Sequence, residues 1–163
     1  MEHDDTARAL RRERIVAADV PSSLALGEQQ IDAMIPHRPP FRLLDRVDHH
    51  RGGAIRGHRT VRADDPVFEG HFPGDPVYPG VLLLEMLGQL GLCLLHLSDA
   101  GLATGARLLK IHHAVFLAPV SPGTTLTLEA RSLEADVIAA SIAGQVWHGE
   151  VLCAVAILEV YLA

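Results

Sequence analysis

The chain has 163 residues, 48% of them apolar, a formal net charge of −6 and two cysteines. That size and apolar share fit a single globular domain with a hydrophobic core and exclude an intrinsically disordered chain. The acidic balance argues against nucleic acid or an anionic membrane as the main partner. Cys93 and Cys153 each fall in an apolar segment and read as buried thiols of a reducing compartment rather than a disulfide.

Residues 1–27 switch between charged and Ala/Ser-rich stretches with no sustained period and read as a flexible or loosely attached N-terminal extension; residues 28–163 read as one domain. The opening MEHDDTARALRRERIV has no apolar stretch of the signal-peptide kind, so a cytoplasmic location is expected. A short helix near 28–34 is stopped by Pro36, and Pro39-Pro40 keep the next segment extended. FRLLDRVDHH (41–50) and AIRGHRTVRA (54–63) predict two strands joined by a turn at Arg51-Gly52-Gly53.

A Gly/Pro-rich loop over 69–80 leads into an apolar run, 81–97. Its length and scarcity of β-branched residues predict a helix, and its leucines on every side predict that protein wraps it fully. Glu85, Gln89 and His96 interrupt it, and it is short for a bilayer. Gly88 and Gly91 predict close approach of a packed neighbour. From 106 onward the pattern turns to strands: ARLLKIHHAVFLAPV, then TLTLEARSL with Leu126, Leu128 and Ala130 on one face, then VIAASIAGQVWHG and VLCAVAILEVYLA. The last is apolar on both faces, so another layer or another subunit is expected over its outer side. The predicted class is α+β, an antiparallel sheet around one helix.

The chemistry concentrates in EGHFPGDPVYPGVLLLEMLGQ (69–89). His71 stands in a loop held by Pro73, Pro76 and Pro79, where a neutral imidazole can be aimed as a base. Glu85 follows inside the apolar helix, with Gln89 on the same stripe. A carboxyl surrounded by leucines would hold its proton and serve as an acid; the plainer alternative is a structural glutamate bonded to Gln89. Free amides of the first helical turn, at Gly80 and Val81, would polarise a carbonyl. Base, acid and carbonyl clamp together suit removal of a proton α to a carbonyl while a β-hydroxyl leaves as water, a reaction that needs no metal, nucleotide or redox cofactor.

These residues resemble the β-hydroxyacyl-acyl carrier protein dehydratases, a hotdog-fold family in which an antiparallel sheet wraps one long central helix. MIPHRPPFRLLDRV (34–47), GHFPGDPVYPGVLLLEMLGQ (70–89) and FLAPVSPGTTLTLEA (116–130) match in order. The resemblance implies His71 as catalytic base and Glu85 as acid, with Gly80, Val81, Phe72 and Gln89 as substrate-binding or supporting residues. It implies a homodimer, or a higher oligomer of dimers, whose facing His71 and Glu85 come from different subunits. It also implies an acyl chain on the phosphopantetheine arm of acyl carrier protein as substrate. Glutamate at the acid position favours plain dehydration over the dehydratase/isomerase branch, which carries aspartate there.

One departure stands out: Leu117-Ala118 occupy positions where the family has basic residues that dock the carrier, leaving Arg42, Arg107, Lys110 or the Arg56/Arg59/Arg62 group as replacements. Competing readings are a hotdog thioesterase and a non-catalytic acyl-binding protein. The doublets His49-His50 and His112-His113 do not suggest a metal site, because neighbours on a strand face opposite ways. His37-Arg38 reads as a loop that holds the fold.

Overall fold

The computed structural model describes residues 2–98 and 106–162. Met1 of the expected extension, residues 99–105 and Ala163 at the expected end of the last strand lie outside the described residues. The elements run α1 (Glu2–Leu10), α2 (Glu28–Met34), β1 (Arg46–Arg51), β2 (Ala54–Thr60), α3 (Val67–Gly70), α4 (Gly80–Leu97), β3 (Ala106–Phe116), β4 (Thr125–Ala135), β5 (Ala139–His148) and β6 (Val151–Leu162). The six strands form one antiparallel sheet in the order β1-β2-β4-β5-β6-β3.

The inner face of this sheet curls around α4. Leu126, Leu128 and Ala130 of β4 are buried as their alternation requires, with Ile55, Ile142, Val146 and Leu158 beside them. Contact is close enough to demand glycine: a Cβ on Gly144 would lie 2.9 Å from the Leu87 methyls. Gly91 meets Ile142 in the same way, whereas Gly88 faces open space. By length and composition alone α4 could cross a membrane, but 61% of it is buried here, as befits a core helix.

Three expectations need correction. The strand expected from Phe41 starts at Arg46, because the backbone of residues 41–43 is bonded instead to a side chain of α4, described below. The loop expected from residue 69 begins inside a helical turn, α3, which takes in Glu69 and Gly70; the Asp65 carboxylate accepts the Val67 N–H at 3.0 Å at its start.

The third and largest correction concerns the N-terminal extension. It is packed onto the outer face of the sheet, where Ala7 and Leu10 bury against Ala143, Val155 and Ile157, with Ile15 alongside. The outer side of β6 is thus covered by the chain's own N-terminal segment. Three polar side chains stand in register across β2, β4 and β5 on that face: Arg56, Glu129 and Gln145. The Arg56 guanidinium donates to Val16 O (3.1 Å), Ala17 O (2.6 Å) and Glu129 Oε1 (3.4 Å). Glu129, 0% exposed, also accepts from Val16 N–H at 3.0 Å and from Arg14 at 3.4 Å. Gln145 accepts from Ile15 N–H at 2.9 Å and donates to the carbonyls of Leu10 and Glu13. Arg14 also lies over the Trp147 ring at 4.3 Å. Removing the shared carboxylate would strand two guanidinium groups. Glu129→Ala is therefore expected to cost about 3 to 5 kcal/mol, read as a lower urea midpoint at unchanged slope. An unaltered midpoint would show that the segment is not tied down through Glu129.

Candidate active site

His71 caps the C-terminal end of α3, its N–H bonded to Val67 O at 3.0 Å. The loop that follows is pinned at several points. Val77 N–H donates to His71 O (3.0 Å), Tyr78 N–H donates to Val120 O (2.8 Å), and Gly74 turns the chain at φ +80°. The imidazole Nδ1 lies 2.7 Å from Val77 O. A carbonyl can only accept, so this contact assigns the ring proton to Nδ1 and leaves the Nε2 lone pair free, the tautomer a base needs.

His71 lines a cavity of about 460 Å³ with Val77, Tyr78, Gly80, Val81 and Phe116 among its walls. Gly80 and Val81 open α4, whose first amides lack intrahelical acceptors and carry partial positive charge. A Cβ on Gly80 would fall 2.8 Å from the Phe116 ring, so only glycine lets that ring lie on the first turn. Tyr78 is the other titratable group in this wall. Burial, assisted by Asp65, pushes its phenol up to about 12, so it keeps its proton near neutral pH.

Glu85 stands elsewhere, in a small cavity of about 60 Å³ with His37, Gly88, Gln89, Leu92, Ala106 and Leu108. It is not sealed among leucines as expected: its side chain is 28% exposed. The helix is not wrapped all round either. Val81, 67% exposed, belongs with Glu85, Gly88 and the exposed His96 to one open stripe. Gln89, by contrast, is buried and fully engaged. Its Oε1 accepts Leu43 N–H at 2.8 Å, and its Nε2 donates to Phe41 O and to Glu85 Oε1, each at 2.9 Å.

Of the residues singled out by sequence, His71, Gly80 and Val81 share the larger cavity, and Glu85 and Gln89 share the smaller. Phe72 is in neither: its ring stacks on His71 at 4.1 Å and lines a separate surface groove with Asp64, Asp65 and Phe68. Phe116, which lines the larger cavity, and the contact of His37 with Glu85 were not legible in the sequence. His37 does lie inside a matching block, the one signal that pointed to it. Among the arginines considered for carrier docking, Arg42 is taken by Glu28 and Asp32, Arg56 by Glu129, Arg59 by Asp45 and Arg62 by Asp64.

The two cavities have no wall residue in common within one chain. Their walls meet opposite ends of β3: Phe116 in the first, Ala106 and Leu108 in the second. Leu108 and Phe116 are separated by about 26 Å at about 3.3 Å per residue. β3 is an edge strand, bonded only to β6 among the described residues, and its Leu108, Leu109, Ile111 and Phe116 side chains are exposed, Leu109 at 59%. A second copy laid antiparallel along that edge would place one chain's Phe116 end against the other's Leu108 end.

The FabA-like domain model matches residues 35–156. The chain is 44% identical over 112 residues to the 3-hydroxyacyl-[acyl-carrier-protein] dehydratase FabZ of Protochlamydia amoebophila (strain UWE25), covering 67% of this chain and 71% of that protein. Among solved structures it resembles the dehydratase heterocomplex ApeI:P from Xenorhabdus doucetiae, with a TM-score of 0.68, 21% identity, and coverage of 82% of this chain and 90% of that one. It also resembles a hypothetical thioesterase protein with coenzyme A from Streptococcus pneumoniae TIGR4, with a TM-score of 0.56, 15% identity, and coverage of 72% and 84%. These two structural likenesses bear on the fold, which is the hotdog architecture.

Proposed function

Because the chain belongs to the FabA-like family, we propose that it is a 3-hydroxyacyl-[acyl-carrier-protein] dehydratase, a hydro-lyase that forms trans-2-enoyl thioesters in the cytoplasm as part of fatty acid synthesis or a related acyl pathway. The observation that carries the reading is the His71 ring, held by Val77 O with Nε2 free, in the same cavity as the first turn of α4.

The thioester carbonyl accepts from the Gly80 N–H, which makes the α-hydrogen more acidic. His71 Nε2 takes that proton, and the Cα–H electron pair becomes the Cα=Cβ bond. The Cβ–O bond breaks as the hydroxyl takes a proton from Glu85 and departs as water. The site is composite: His71 and the Gly80 amide of one subunit work with Glu85 and Gln89 of its partner in a homodimer joined along β3. The open edge of β3, the cavity walls at its two ends and the open stripe of α4 all support this arrangement. The substrate arrives on acyl carrier protein, and the exposed Arg107 and Lys110 of β3 are the basic residues among those considered that no carboxylate holds within the described residues.

The test is to incubate the purified protein with a 3-hydroxyacyl thioester on acyl carrier protein and follow the 2-enoyl absorbance. Enoyl product supports the reading; release of free thiol without enoyl product would point to a thioesterase instead. Silence in both assays would leave acyl binding as the function.

A further inference from the structure

His37 lies in the turn that follows α2, and several bonds fix that turn. The Arg38 guanidinium donates to Ile35 O and His37 O, each at 2.8 Å, while Phe41 and Arg42 N–H donate to Arg38 O at 2.8 and 3.0 Å. The His37 ring stacks against Phe41 with centroids 6.3 Å apart. Its Nε2 is 3.2 Å from Glu85 Oε1, and both residues line the smaller cavity. Its Nδ1 is buried with no hydrogen-bond partner among the described residues. With Nδ1 unpartnered, the proton of the neutral ring is assigned to Nε2, the nitrogen that lies beside the carboxyl group.

The same turn reaches Glu85 a second time. Phe41 O and Leu43 N–H fix the Gln89 amide, whose Nε2 donates to the same Glu85 Oε1. Gln89 therefore donates to Oε1 with the His37 Nε2 lying beside the same oxygen, and among the described residues Oε2 has no partner. From this geometry we infer that His37 is a positioning residue of the dehydration: with Gln89 it holds Oε1 as acceptor, so that Oε2 carries the proton given to the leaving hydroxyl. Once Oε2 has lost its proton, the Gln89 N–H and the neighbouring His37 ring stabilise the carboxylate that results. The inference rests on the dehydratase reading given above.

His37→Leu keeps the bulk and removes the donor, whereas His37→Gln places an amide N–H at a similar reach. His37→Leu is expected to lower kcat about tenfold to a hundredfold with KM nearly unchanged, without a change in thermal unfolding. His37→Gln should recover most of the loss. A folded His37→Leu protein with wild-type kcat overturns the inference, as does a His37→Gln protein no better than His37→Leu. A second measurement needs no turnover: long-range proton–nitrogen NMR of the wild-type imidazoles, with His37 assigned by its loss in His37→Gln. Protonation of the neutral ring at Nε2 is expected, and a neutral ring protonated at Nδ1 would contradict the contact even in an active enzyme. Wild-type inactivity on 3-hydroxyacyl thioesters would instead remove the dehydratase reading, with the NMR result still deciding the contact.

Discussion

His71→Ala is expected to lower dehydratase kcat by about two to four orders of magnitude, the range of a lost general base and equivalent to about 3 to 5 kcal/mol of transition-state stabilisation. The ring does not support the fold through a buried network. Among the described residues its one side-chain hydrogen bond is to Val77 O, and the loop is held independently by Val77 and Tyr78 backbone bonds. Thermal unfolding should therefore barely move. Glu85→Gln should produce a loss of similar size for a different reason. The amide retains the shape and still offers an oxygen to Gln89 and His37, but it has no proton to give to a departing hydroxyl. Stopped-flow or steady-state rates on a 3-hydroxyacyl thioester measure both effects. If the two variants, folded and oligomeric, turn over like wild type, proton transfer by this pair is wrong. Thioester hydrolysis that survives His71→Ala would favour the thioesterase reading.

The second expectation separates a composite site from one built within a single chain. A heterodimer of one His71→Ala subunit and one Glu85→Gln subunit, isolated through two different affinity tags, contains one site with intact His71 and Glu85 and one site lacking both, provided the pair is shared across the interface. Such a dimer is expected to show about half of wild-type activity, by counting sites under twofold symmetry. Each parent homodimer should be nearly inactive. If His71 and Glu85 of the same chain worked together, every site in the heterodimer would be damaged and the mixture would stay at background. The separation of the two cavities along β3 makes the shared arrangement the expected one.

The positioning role inferred for His37 gives the first matching block a chemical purpose. In sequence, MIPHRPPF looks like a device for ending a helix and extending the chain, because its prolines dominate the local pattern. In space, the same turn supplies a ring nitrogen to Glu85 and a carbonyl to Gln89. Phe72 runs the other way. The resemblance implied it as a substrate-binding or supporting residue, and in the structure its ring packs on the imidazole and lines a groove separate from the larger cavity.

What the sequence determined by itself was whatever a short window encodes. A period of two in TLTLEARSL set the inward residues of β4, an apolar run set α4, and prolines around His71 and the spacing to Glu85 marked the candidate site and its family. Tertiary structure alone decided the features made by residues far apart in the chain. Arg14, Val16 and Ile15 meet Glu129 and Gln145 from more than a hundred positions away, which turns an apparent tail into a cover for the sheet. His37 reaches Glu85 from another element, and α4 keeps an open stripe because the sheet curls around only part of it. Such bonds depend on where the sheet brings its faces, and neither periodicity nor local composition carries that information.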